Sequence, residues 1–258
     1  MTDSPQRSTI PLGSHALDVL RCGRGTPLLM IASLGRGGED FVPLMRTLDS
    51  QRFHCIALDQ RGVGNSGGEL NNISLHDLAN DCRDLLTALN CTPAHIIGHA
   101  FGNRVARCLA ADHPDAVRSC TLLGAGGKIP ADPDLQANFI AALKGELVDE
   151  DFHRAIRDAH FSAQSDPGCW RTGWWTNAAR SQAKAARDTQ RSDWWHGGDS
   201  PLLVIQGNDD RMAPPANGLA IKQEFGARVT LHTIADAGHA LLLEQPEEIA
   251  RLFSEYQA

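Results

Sequence analysis

Proton transfer at a carbonyl needs an imidazole, a carboxylate to steer it and a rigid corner to present the reacting atoms. Three stretches of the chain offer these parts. Ala94-His95-Ile96-Ile97-Gly98-His99-Ala100-Phe101-Gly102-Asn103 reads as a strand, a tight turn and a helix, with Ala100 at the apex. Gly98 and Gly102 flank that apex, the spacing a strained corner requires because strand and helix backbones close on it. The apex side chain is inert: a methyl group cannot attack a carbonyl. Gly207-Asn208-Asp209-Asp210-Arg211-Met212-Ala213-Pro214 supplies two neighbouring carboxylates, and Asp236-Ala237-Gly238-His239-Ala240 supplies an imidazole. Helix capping is the plainer role for either aspartate. The chain has 11 histidines, so chance placement is easy. His15, His54, His76, His95, His113 and His232 lie on strand or helix patterns without a partner and read as structural or exposed.

A sheet must position these stretches. Pro27–Ala32, His54–Leu58, Ala94–Ile97, Ser119–Leu123, Pro201–Ile205 and Val229–Ile234 are apolar on both faces, which predicts buried strands of a parallel sheet. Leu12-Gly13-Ser14-His15 predicts a hairpin turn between two leading strands. Helices are predicted over Ser74–Leu89, with Ser74 as N-cap, and over Asn103–Ala111 and Pro246–Phe253. Alternation of this kind predicts an α/β fold. It breaks over residues 128–199, a stretch that reads as helices and holds all five Trp (170, 174, 175, 194 and 195) and three of the eight Phe. We read 128–199 as a helical lid over a pocket, with 1–127 and 200–258 as the core. A small helical subdomain filled with Trp is the plainer reading. Arg180, Lys184, Arg187 and Arg191 share one helical face, read first as a solvated stripe and second as a feature that recognises a substrate carboxylate.

Composition narrows the partners. With 24 Lys+Arg against 31 Asp+Glu the formal charge is −7, which argues against a nucleic-acid surface and against an anionic membrane. No run approaches the ~18 apolar residues of a membrane span, and Met1–Arg7 lacks the order of a secretion signal. The seven cysteines include no C-x-x-C pair, which suits a reduced compartment; a cytoplasmic location is expected. No ligand spacing marks a metal site. Gly124-Ala125-Gly126-Gly127 lacks the dinucleotide signature. No metal and no cofactor are expected, and the expected partner is a small-molecule substrate.

The corner resembles the nucleophile elbow of the α/β-hydrolase fold, departing from it at Ala100, where that family places Ser, Asp or Cys. Other motifs extend the resemblance along nearly the whole chain. Ser33-Leu34-Gly35-Arg36-Gly37 stands where the family has a His-Gly-x turn, and Asp59-Gln60-Arg61-Gly62-Val63-Gly64-Asn65-Ser66 is similar to its D-x-R-G-x-G-x-S loop. Gly207–Pro214 matches G-x-x-D-x-x-x-P, and Gly238-His239 leads to Glu244-Gln245-Pro246 as in the family's G-H…E-x-P ending. The resemblance implies a mostly parallel eight-stranded sheet flanked by helices, with Asp210 as the acid (Asp209 as runner-up) and His239 as the base. It also implies an oxyanion hole from the backbone N–H groups of Phe101 and of Gly35, or Leu34 in the alternative register. Ser33, Trp174 and Trp175 are expected at the substrate. His99 is expected to order the elbow, and the 59–66 loop is expected to be a structural turn bordering the pocket.

An alanine elbow leaves several readings. The first is a hydrolase for a small, mostly apolar carbonyl compound, in which Asp210 orients His239 and His239 activates water without a covalent intermediate. A second is lyase or dioxygenase chemistry begun by proton abstraction at His239, as in the family's cofactor-free ring-cleaving members. A third is a serine esterase with Ser replaced by Ala at position 100, and a fourth is a binding protein without turnover. The aminoacrylate hydrolases of pyrimidine breakdown, within the same family, also show Ala at the elbow. Of possible substitute nucleophiles, Ser33 stands ahead of Ser66 and Cys108.

Overall fold

The computed structural model describes residues 4–258; Met1, Thr2 and Asp3, the first residues of the Met1–Arg7 stretch, lie outside the described residues. In chain order the elements are β1 (Gln6–Pro11), β2 (Ala16–Cys22), β3 (Thr26–Ile31), α1 (Val42–Thr47), β4 (Phe53–Leu58), α2 (Leu75–Ala88), β5 (Ala94–His99), α3 (Phe101–Asp112) and β6 (Val117–Leu123). There follow α4 (Pro133–Lys144), α5 (Asp149–His160), α6 (Thr176–Asp188), α7 (Arg191–Trp194), β7 (Leu202–Gly207), α8 (Ala216–Phe225), β8 (Val229–Ile234), α9 (Leu241–Glu244) and α10 (Pro246–Tyr256). The strands form one eight-stranded sheet in the order β1-β2-β4-β3-β5-β6-β7-β8. β1 pairs antiparallel with β2 and β2 with β4, and all later pairings are parallel.

Successive residues of a strand point to opposite faces, and the continuous apolar runs feed two cores in this way. In β3, Leu29 and Ile31 join a core with α2, α3 and the Ile221 side of α8. Leu28 and Met30 join the other, with α1, α9 and α10. The Ser74 hydroxyl accepts from the Asp77 N–H while the Asp77 carboxylate accepts from the Ser74 N–H, so α2 starts where the sequence places its cap. The short α1, α8 and α9 were not expected. In α8 the helix-weakening Gly218 has a packing reason: a Cβ there would lie 2.8 Å from Leu231 Cδ1 and 3.0 Å from Gln206 Cγ.

Between β6 and β7 the chain makes α4 to α7 and no strand. Phe139, Leu143, Ile156, Ala159, Phe161 and Trp170 form a third cluster, which meets the core at Ala240. The aromatic concentration divides at its end, because Trp194 and Trp195 belong to the main core against α3. Among the described residues no helix is long and apolar enough to cross a membrane.

Candidate active site

The corner at residue 100 has the geometry its glycines require. Ala100 sits between β5 and α3 with φ 50° and ψ −108°, a left-handed conformation costly for a residue with a Cβ. Its N–H donates to the Leu123 carbonyl at 2.9 Å. A Cβ on Gly98 would stand 2.5 Å from the Asn103 Cα, and one on Gly102 would stand 2.1 Å from the Ile31 carbonyl oxygen. Phe101 begins α3, so its N–H is among those for which a helix has no acceptor of its own, at the positive end of the helix dipole.

The acid and the imidazole meet at the ends of β7 and β8. His239 Nδ1 lies 2.8 Å from Asp210 Oδ2, and both side chains are buried. The other carboxylate oxygen of Asp210 accepts from the Met212 and Ala213 N–H groups at 3.0 and 2.7 Å, which fixes the plane of the carboxylate. A carboxylate at Nδ1 selects the tautomer in which Nδ1–H donates, and this leaves the lone pair on Nε2. Asp209 takes no part; its N–H donates to the Ala237 carbonyl and its side chain is exposed. His99 Nε2 donates to the His239 carbonyl at 2.7 Å, so His99 orders the histidine turn rather than the elbow. Burial, with the His239 ring close by, pushes His99 down to about 3, and it stays neutral.

A cavity of about 680 Å³ opens at this point. Ser33, Leu34, Ala100, Phe101 and His239 are on its wall, and Asp210 stands behind His239. Gly35 differs from expectation. Its N–H donates to Gln182 Oε1 at 2.7 Å and its carbonyl accepts from the Trp175 N–H at 2.9 Å, so its amide is already spent on α6. Trp174 and Trp175 are also displaced from their expected place and are not on the cavity wall. Trp174 packs on Phe139, Trp170 and the Arg36 guanidinium, and Trp175 is exposed at the start of α6. The aromatic residues facing the cavity from the inserted helices are Phe139 and His160.

The loop at 59–66 is structural but does not reach the cavity wall. Asp59 accepts from the Gly38 N–H and from Arg7, Arg61 pairs with Asp81, and Gly62 and Gly64 have φ of 74° and 60°. Of the substitute nucleophiles, Ser33 reaches the cavity. Ser66 Oγ accepts from the Asp18 N–H and donates to the Asp59 carbonyl. Cys108 is buried elsewhere. It joins His76 and Asp112, with ligand atoms within 4.8 Å of one another, a grouping that the sequence spacing did not suggest. Burial pushes the Cys108 thiol up, and His76 Nδ1 bonds Asp112 at 2.7 Å, so hydrogen bonding accounts for the grouping.

The sequence did not foresee the contacts of three residues in or beside the site. A Cβ on Gly124, at φ 58°, would fall 3.2 Å from His239 Nδ1 and 3.3 Å from Asp210 Oδ2, so a side chain after β6 would crowd the pair and strain the backbone. His160 ends α5 with its ring centroid 5.6 Å from that of His239, and its Nδ1–H donates to the Ile156 carbonyl. Burial holds it well below the usual imidazole range. The Arg36 guanidinium binds Asp40 at 2.9 and 2.6 Å, donates to the Thr172 carbonyl, and stacks on Trp170 and Trp174. The aromatic cluster of the insertion, with a lone Arg in a glycine-rich turn, was the visible signal for that last contact.

A family model for the alpha/beta hydrolase fold matches residues 26–246. The chain belongs to that family. This hydrolase-fold enzyme is 26% identical over 246 residues to a candidate non-heme bromoperoxidase of Mycobacterium tuberculosis, covering 88% of this chain and 92% of that one. Over 101 residues it is 35% identical to a candidate carbamate hydrolase of Azorhizobium caulinodans, covering 39% of this chain and 38% of the relative. Among solved structures, an E-2-(acetamidomethylene)succinate hydrolase superposes with a TM-score of 0.78 at 22% identity, covering 98% of this chain and 99% of that one. At that identity the likeness concerns the fold.

Proposed function

We propose that this α/β-hydrolase-fold enzyme hydrolyses a small carbonyl compound by direct attack of water, with no covalent intermediate on the protein. The observation that carries the reading is the 2.8 Å contact between His239 Nδ1 and Asp210 Oδ2 beside an elbow whose apex bears only a methyl. His239 Nε2 takes a proton from a water at the apex, Asp210 stabilises the imidazolium, and the Leu34 and Phe101 N–H groups receive the developing oxyanion. Leu34 replaces Gly35 in that role because the Gly35 amide is bound to Gln182. Donors of this kind contribute about 3–4 kcal/mol each, and a triad lacking one member keeps ~10³–10⁴-fold acceleration. Such acceleration suits an activated ester, lactone or enamine-type substrate better than an ordinary amide. A cavity of about 680 Å³ walled by Ile129, Phe139, Ile140, Leu143 and Met212 fits a small, largely apolar body. Residues 128–199 act as the cap, since α4, α5 and α6 supply one side of that wall.

Hydrolysis in ¹⁸O-labelled water tests the reading. Label in the acid product, unchanged rates without O₂ and a loss of about 10²–10⁴-fold in His239→Ala are expected. Undiminished turnover in His239→Ala removes the pair from the mechanism. A large gain of esterase activity in Ala100→Ser over an inert parent favours a lost serine nucleophile instead.

A further inference from the structure

The cavity has a marked charge asymmetry. Six cationic side chains line it, those of Arg104, Lys128, Lys144, Arg180, Lys184 and Arg187, and no Asp or Glu does. The chain as a whole carries −7, so the asymmetry runs against composition. Several of the six are neutralised locally: Lys128 pairs with Glu224, Lys184 and Arg187 with Asp188, and Lys144 lies 3.6 Å from Glu146. Arg104 and Arg180 form no ion pair with a carboxylate among the described residues.

Arg104 is the informative one. It lies four residues past the apex on α3, one turn and about 6 Å along the axis, so its side chain sits over the same cavity as Ala100. Unlike the exposed cations of α6 it is partly buried, and its guanidinium stacks on Trp194, 5.3 Å from the ring centroid. Next to it Arg107 is fully buried against Trp194 and Trp195. Its Nη2 donates to Asn103 Oδ1 and the Gly126 carbonyl, while its Nη1 has no partner among the described residues. A partly buried guanidinium beside a fully buried one, with no anion facing either, favours the arrival of an anion. A stripe of solvated charge explains Lys184 and Arg187 but not Arg104, which is partly withdrawn from solvent without gaining a pair.

We infer that the substrate carries a carboxylate on a short apolar arm, with Arg104 receiving the carboxylate and Arg180 and the rim cations drawing it in. This inference rests on the hydrolase reading for the position of the reacting carbonyl, at Leu34, Phe101 and His239. The apolar side chains of α4 then face the arm between the two polar ends. A planar guanidinium binds a carboxylate through two parallel hydrogen bonds, which makes Arg104 a determinant of orientation as well as affinity.

The test uses glutarate and its neutral analogue glutaramide as ligands, measured by calorimetry at low salt, with monoethyl and diethyl glutarate as substrates. Glutarate is expected to bind at least about 10-fold more tightly than glutaramide. Arg104→Gln is expected to lower glutarate affinity about 10- to 100-fold while changing glutaramide less than about 3-fold, with Arg104→Lys in between. Urea midpoints of the variants confirm that they are folded. Equal affinity for acid and amide, failure to bind glutarate, or equal losses for both ligands in Arg104→Gln overturns the inference. Hydrolysis of the diethyl ester that depends on His239 but shows no preference for the monoester leaves the hydrolase reading standing and removes this one. Charge-selective binding lost in Arg104→Gln, without turnover of either ester, does the reverse.

Discussion

The two sides of the cavity are built on different principles. On the sheet side, the Ala100 corner, Gly124 and the His239–Asp210 pair sit at the ends of β5, β6, β7 and β8, and their positions are set by backbone approaches that tolerate no extra atom. On the inserted side, α4, α5 and α6 present Phe139, His160 and a row of cations from helices outside the sheet. Under the proposed function, the contrast separates the parts that would hold reacting atoms from the parts that would choose what reacts. Strand ends offer the fixed positions that proton transfer needs, and helices outside the sheet can change their side chains without disturbing them.

Substitutions can break that contrast or sharpen it. The largest effect is expected at Asp210→Asn, which keeps the packing but favours the wrong imidazole tautomer. Turnover should fall by up to about 10⁴-fold with little change in a urea melt, and steady-state kinetics read it directly. Arg36→Ala crosses between the two sides. It leaves Asp40 buried without its partner, so a loss of about 3–5 kcal/mol in equilibrium unfolding is expected, and turnover should fall with it because the neighbouring Leu34 turn loosens. Gly124→Ala should act on the sheet side alone. Its Cβ crowds His239 Nδ1 and Asp210 Oδ2 and needs a positive φ, so kcat should fall about 10- to 100-fold while KM for a bound substrate moves little.

The smallest effect is on acid stability. His99 is pushed down to about 3 in the folded chain against about 6.5 unfolded. The unfolded state therefore binds more protons below pH 6.5, and stability present above that pH is lost as pH falls toward 3. This ring should cost about 2 kcal/mol between pH 7 and pH 5, with His160 adding in the same direction. Urea midpoints at the two pH values measure the sum, and a His99→Asn variant should flatten the slope.

Legibility in the sequence follows the same division. Six parallel strands, the corner at Ala100 and the pairing of Asp210 with His239 were readable, the corner because close backbone contacts demand particular residue types at fixed spacing. Gly98 and Gly102 are the clearest case. The turn proposed to hold the oxyanion was half readable: its place after β3 was evident, but the preference for Gly35 over Leu34 could not foresee Gln182, 147 residues away, which takes the Gly35 amide. Trp174 and Trp175 were read as pocket residues from composition, which carries no direction; their rings turn to Arg36 or to solvent instead. The spacing of Arg180, Lys184 and Arg187 was visible on α6, but only the tertiary fold brings Arg104 of α3 opposite them.

The ties between α6 and the turn after β3 limit how the cavity can be entered. The Trp175 N–H to Gly35 carbonyl, the Gly35 N–H to Gln182 and the Arg36 guanidinium to the Thr172 carbonyl close that seam three times over. Ligand arrival is therefore expected away from that seam, toward the exposed side chains of α4 that line the cavity, Ile140 and Lys144. A spectroscopic label on α4 should report ligand arrival, and one on the first turn of α6 should stay silent.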